Sequence, residues 1–146
     1  MKKVLSVLCI VALLFTFAAC SKAPAEEETP IVNPTDLTFS LIDGEDDVDI
    51  EDFPEIKDDP FIAEEGSTVL EATQLYCMSH DITISVDEQK GYVTEIAGLT
   101  EGDYSKQTGW VFTVNGEMGT LGADEQIIQE GDKIVWEFID FSAVAW

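Results

Sequence analysis

The chain contains no arginine and one histidine, His80, while its seven basic residues, all lysine, face thirty acidic ones for a formal net charge of −23. Neutralising a phosphate backbone takes clustered Lys and Arg, so a nucleic-acid partner is excluded. Direct adsorption to an anionic bilayer is disfavoured for the same reason. Neutral or cationic ligands remain open. Catalytic signatures are equally scarce: there is no Gly-x-Ser-x-Gly elbow, no Cys-His-Asn set and no paired metal-ligand motif, and nothing in the sequence places two carboxylates in a cleft. The chain is not expected to be an enzyme.

Only three cysteines occur. Lys2 and Lys3 open an apolar run, Val4 to Phe17, that is short for a bilayer span and ends in Phe17-Ala18-Ala19-Cys20. This resembles a bacterial lipoprotein signal with its lipobox, Phe17 standing where Leu, Val or Ile is usual. The resemblance implies cleavage after residue 19 and lipidation of Cys20, and acyl chains at about 0.8 kcal/mol per buried methylene would hold the protein to a membrane without a spanning helix. Residues 1–19 are then a signal peptide, and the mature chain is extracytoplasmic and anchored to the bacterial cell membrane. With Cys9 in the leader and Cys20 lipidated, Cys77 is left without a disulfide partner.

Residues 20–35 carry prolines, three consecutive glutamates and few bulky apolar side chains, which reads as a flexible tether ahead of one domain over 36–142. Asp36 to Ile42 alternates Leu37, Phe39 and Leu41 with polar residues and predicts a strand with one buried face. From Asp43 to Asp59 ten of seventeen residues are acidic, interrupted by Val48, Ile50, Phe53 and Ile56. That pattern fits a hairpin excursion or an edge strand. Asp46, Asp47 and Asp49 also offer oxygen ligands for a hard cation such as Ca²⁺, without the spacing of an EF-hand.

One helix is expected, Val69 to Ser79, capped by Ser67 or Thr68 with Glu71 placed for a capping box. Its face of Val69, Ala72, Thr73, Tyr76 and Cys77 should lie on a sheet. Cys77 and His80 are three residues apart and would be neighbours on that helix, either as a two-ligand soft-metal pair or as a buried thiol beside a terminal imidazole. Two strands follow, around Ile82 to Val86 and Gly91 to Ile96, then a polar loop over Thr100 to Thr108. Trp110 to Val114 and Lys133 to Ile139 are aromatic and β-branched, and Asn115-Gly116 is the strongest turn signal in the chain.

Taken in order, Gly66-Ser67-Thr68-Val69-Leu70-Glu71-Ala72, Tyr92-Val93-x-x-Ile96-x-Gly98-Leu99, Gly109-Trp110-x-Phe112-x-Val114-Asn115-Gly116, Gly122-Ala123 and Glu130-Gly131-Asp132-x-Ile134-x-Trp136 resemble the transcobalamin-like C-terminal domain. This bacterial family is similar to the small β-domain of transcobalamin and intrinsic factor. The resemblance implies an α+β, β-grasp-like fold, a mixed sheet with one packed helix. It also implies a corrinoid (cobalamin-like) ligand, although the large helical domain that completes the cage in the vitamin carriers is absent from this sequence. Carried over by position, the ligand loop falls after Val114, with Asn115, Met118, Thr120 and Leu121 as contacts and Trp110 beside them. A corrin is flat, largely apolar and rimmed with amides, so Met118 and Leu121 would supply apolar platforms and Asn115 and Thr120 hydrogen bonds. Trp110, Phe112, Trp136 and Phe138 at period two are also the residues of a buried strand face. Three readings follow: a tethered module binding a small molecule such as a corrinoid, a protein-interaction or structural module docking on an envelope or transporter partner, and a divalent-cation protein acting through residues 43–59.

Overall fold

The computed structural model describes residues 31–44 and 53–143. The leader, the lipidation position Cys20, most of the tether and the acidic trio Asp46, Asp47 and Asp49 lie outside the described residues.

The elements in chain order are β1 (Pro34–Asp43), β2 (Ile56–Glu64), α1 (Val69–Ser79), β3 (Ile84–Asp87), β4 (Tyr92–Ile96), β5 (Leu99–Thr100), β6 (Thr108–Val114), β7 (Glu117–Met118) and β8 (Lys133–Asp140), followed by a 3-10 turn at Phe141–Ala143. Five strands form one sheet in the order β2-β1-β8-β6-β7, and β3-β4-β5 form a second, smaller one. Strand β1 runs parallel to β8 while the other neighbours are antiparallel, so the main sheet is mixed. With one helix among the described residues packed against it, the architecture is α+β and β-grasp-like, as the family resemblance implies.

Register decides which side chains form the core. Leu41 lies opposite Trp136, Trp136 opposite Phe112, and Phe138 opposite Trp110, which aligns these residues on one face. Helix α1 lies over that face with Val69, Ala72, Thr73, Tyr76 and Cys77 buried, the side expected from its periodicity. Tyr76 stacks on Phe39 at 3.9 Å between ring centroids. Each buried aromatic with a polar end has a partner: Trp136 Nε1 donates to Thr73 Oγ1 at 2.8 Å, Trp110 Nε1 to the Leu99 carbonyl at 2.9 Å, and Tyr76 Oη to Asp59 Oδ2 at 2.8 Å. The first bond ties the helix to the sheet, and the second ties the small sheet to the large one. Phe112 is only half-buried, unlike its neighbours in the expected core.

Two elements differ from expectation. The edge strand foreseen within Asp43 to Asp59 begins at Ile56 and continues through Pro60 to Glu64. Proline reads as a strand breaker because it has no N–H, but β2 is outermost in its sheet, where that donor is not needed on both sides. A bulge at Asp58, φ 51°, interrupts its register, and the Asp58 N–H is taken up by Ser40 Oγ at 2.9 Å. The polar loop after β4 is also shorter than expected, since Leu99–Thr100 adds a third strand to the small sheet.

Cys77 and His80 sit in different surroundings. Cys77 is fully buried beneath the helix. His80, part-exposed at the end of the helix, stacks on Tyr76 at 4.0 Å, with Nε2 3.5 Å from Asp59 Oδ2. Among the described residues no group of three His, Cys, Asp or Glu is placed to hold a metal.

Replacing Trp136 with Ala should lower unfolding free energy by about 3–5 kcal/mol, and Thr73→Val by about 1–3 kcal/mol through the unpaired indole N–H. Urea titration followed by tryptophan fluorescence would measure both. Burial pushes the Cys77 thiol up to about 11 from its ordinary value of 9.0. Its unfolded form ionises first as pH rises, so its contribution to stability is intact below pH 9.0 and is lost between there and about 11. Thermal melts across that range should show a steeper decline in the wild type than in Cys77→Ala.

Candidate functional site

The Asn115-Gly116 turn joins β6 to β7 with both residues at positive φ, 56° and 81°, the conformation a tight two-residue hairpin requires. Its asparagine is held through both ends of its carboxamide. Asn115 Nδ2 donates to Asp132 Oδ1 at 2.8 Å, and its Oδ1 accepts from the Lys133 N–H at 2.9 Å. Asp132, itself buried, also accepts from the Gln129 N–H at 2.7 Å through its other oxygen. The hairpin turn is thus tied to the chain entering β8.

Between β7 and β8 the chain has no strand or helix, and the start of α1 holds it in place. The first four N–H groups of a helix have no acceptor within it. Thr68 and Glu71 satisfy two through a reciprocal capping box, 2.9 and 3.2 Å. The Val69 and Leu70 N–H groups bond to the carbonyls of Gln126 and Ala123, both at 2.8 Å, and the Ile128 N–H returns a bond to the Ser67 carbonyl at 3.0 Å. Closer to the hairpin, Gly119 lies against the Phe112 ring: a Cβ there would stand 2.6 Å from Cζ.

This arrangement leaves two adjoining cavities that share Met118 and Gly119. One, of about 210 Å³, is walled mainly by apolar side chains including Val93, Trp110, Phe112 and Trp136, with Lys90 among its lining residues. The other, of about 400 Å³, is lined by polar residues including Asn115, Glu117, Thr120, Gln126 and Asp132, with Ile127 beside them. Met118, Leu121 and Ile127 are large apolar residues left 45%, 50% and 45% exposed around this seat. The five residues expected at a ligand site therefore divide. Met118 borders both cavities, Thr120 is free on the polar one, and Leu121 is exposed on the loop but lines neither. Trp110 is only 2% exposed and offers one wall, and the carboxamide of Asn115 is committed to Asp132 and Lys133.

Gln126 and Ile127 escape a reading of the sequence. Ile127 and Ile128 look alike there, yet Ile128 is buried and Ile127 faces outward, because the bridge from Thr68 to Ile127 fixes their alternation. A third recess of about 510 Å³, lined by Glu64, Glu65 and Glu71 with Ile31 and Leu75, contains none of the expected residues.

Residues 66–140, which include α1, both cavities and β8, match the model of the family described as a domain of unknown function, DUF4430. The chain belongs to that family. Solved structures similar to the DUF4430 chain include haptocorrin in complex with Cbi, at 17% identity and a TM-score of 0.58 over 77% of this chain. The match covers 27% of haptocorrin, so this protein corresponds to about a quarter of it. Another is "a putative metal binding protein" from Ruminococcus gnavus ATCC 29149, at 20% identity and a TM-score of 0.48, covering 73% of this chain and 97% of that one. No curated protein matches the sequence. The haptocorrin likeness establishes a shared fold, in keeping with the transcobalamin-like resemblance.

Gly119→Ala should strain the loop against Phe112 and lower stability by about 1–3 kcal/mol, read from chemical unfolding. Gly116→Ala should also destabilise, through its positive φ alone, since no atom lies within 4 Å of its added Cβ.

Proposed function

We propose that this protein is a membrane-tethered, extracytoplasmic binding lipoprotein, not an enzyme, whose seat for a small amphipathic ligand is the junction of the two cavities at Met118. The observation that carries this reading is the pairing of an apolar, aromatic-walled cavity with a polar one at exposed Met118, with exposed Ile127 on the polar cavity and exposed Leu121 on the adjoining loop. Isolated exposed apolar residues are ordinary, whereas an exposed methionine shared by two adjoining cavities, with Ile127 on one of them, is a binding signature.

The specific ligand we favour is a corrinoid. Its flat apolar ring suits Met118 and Leu121, and its amide rim suits Thr120 and Gln126, beside Asn115, whose carboxamide already bonds to Asp132 and Lys133. The fold shared with haptocorrin, solved with Cbi, supports this choice. One domain of this size would cover one side of such a ligand. Lipidation of Cys20 would place the seat at the outer face of the cell membrane.

The same exposed apolar residues favour a second reading, a module that docks on an envelope or transporter protein. Both are tested by adding aquocyanocobinamide to the full chain in detergent and following its visible spectrum. A saturable shift is expected, and Met118→Ala/Leu121→Ala should weaken it about tenfold or more, because each truncation removes apolar contact, while leaving the melting temperature nearly unchanged. Silence with aquocyanocobinamide at high micromolar concentration, together with a stable membrane partner in a pull-down, would replace the corrinoid reading with the docking one.

A further inference from the structure

Charge around the seat points to selection among ligands. Lys90, on the apolar cavity, has its Nζ 2.9 Å from Asp87 Oδ2. Lys133, next in sequence to the cavity residue Asp132, is paired with Asp58. Both lysines are therefore already ion-paired. The carboxylates are not. Asp132 accepts from the neutral donors Asn115 Nδ2 and the Gln129 N–H, which solvate its charge without cancelling it. Glu117 is exposed on β7 and lines the polar cavity. At the rim of the apolar cavity the Asp124 carboxylate lies directly against Gly91 and Gly122, 2.1 and 2.5 Å from the positions their Cβ atoms would take. Around them the full chain carries −23.

Resting on the corrinoid reading above, we infer that this seat selects phosphate-free ligands of neutral or positive charge and rejects their phosphorylated counterparts. An anion entering the polar cavity meets Glu117 and Asp132 with no unpaired cation lining it, so its approach is repelled and its bound state gains no compensating pair. A cation or an amide meets acceptors. Because the rim is open to water, the discrimination should be moderate and sensitive to salt.

The test uses two ligands that differ by one phosphate ester, aquocyanocobinamide and cobinamide phosphate, titrated into the full chain in detergent. At about 10 mM salt, where screening extends over roughly 30 Å, the phosphate-free ligand should bind about tenfold more tightly. Near 1 M salt, where it shortens to about 3 Å, the ratio should fall to within about threefold. Glu117→Lys, on the exposed hairpin, should narrow the low-salt ratio by itself. Equal affinities at low salt, or a preference for the phosphate, would overturn the inference while leaving the corrinoid reading intact; a ratio indifferent to salt and to Glu117→Lys would do the same. Absence of binding by either ligand would remove both.

Discussion

Four amide hydrogens at the start of α1 govern the C-terminal half of the molecule. No carbonyl within a helix can reach them, and leaving them buried and unpaired would cost about 1–3 kcal/mol each. Thr68 and Glu71 take two, and the carbonyls of Ala123 and Gln126 take the others. That second pair converts a long connection without regular structure into a fixed floor, with Ala123 and Ile128 buried and Ile127 turned out. The cavities lie along this connection, which packs against the sheet at its start through Gly119 on Phe112 and is bonded to the helix at its middle.

The same economy of polar groups runs through the core. Thr73 is buried on the helix, yet its hydroxyl donates to the Val69 carbonyl at 2.7 Å and accepts from Trp136 at 2.8 Å. Among the described residues no buried side-chain nitrogen or oxygen lacks a partner. An aromatic core of this kind can use Trp and Tyr only where their polar ends are satisfied. Here each such bond also joins two layers, so packing and orientation are set together.

What the sequence made legible was local. The capping box, the period of α1 and the Asn115-Gly116 turn each involve residues within a few positions of one another, and the structure reproduces them. The alternation of Leu37, Phe39 and Leu41 likewise gave β1 its buried face. What stayed hidden joins distant segments. Nothing near Asn115 announces that its amide is committed to Asp132, nor does anything near Val69 announce its bond to Gln126. Strand β2 was obscured by Pro60 and its acidic start, because tolerance of proline depends on the strand's place at the sheet edge. Trp110 shows the limit for the site: period two marked it equally as core and as platform, and its burial and its bond to Leu99 place it in the core with one side walling the apolar cavity.

The parallel pairing of β1 with β8 sets a schedule for folding. Thr38 is registered with Lys133 and Asp43 with Phe138, so the first strand of the domain finds its central neighbour only in the last. Before β8 arrives, β1 has β2 alone, a two-stranded ribbon of marginal stability. Long-range closure of this kind slows folding. A chain emerging amino end first would therefore keep its aromatic strands open until β8 is available, and the excess of negative charge would discourage neighbouring chains from pairing with them in the interval.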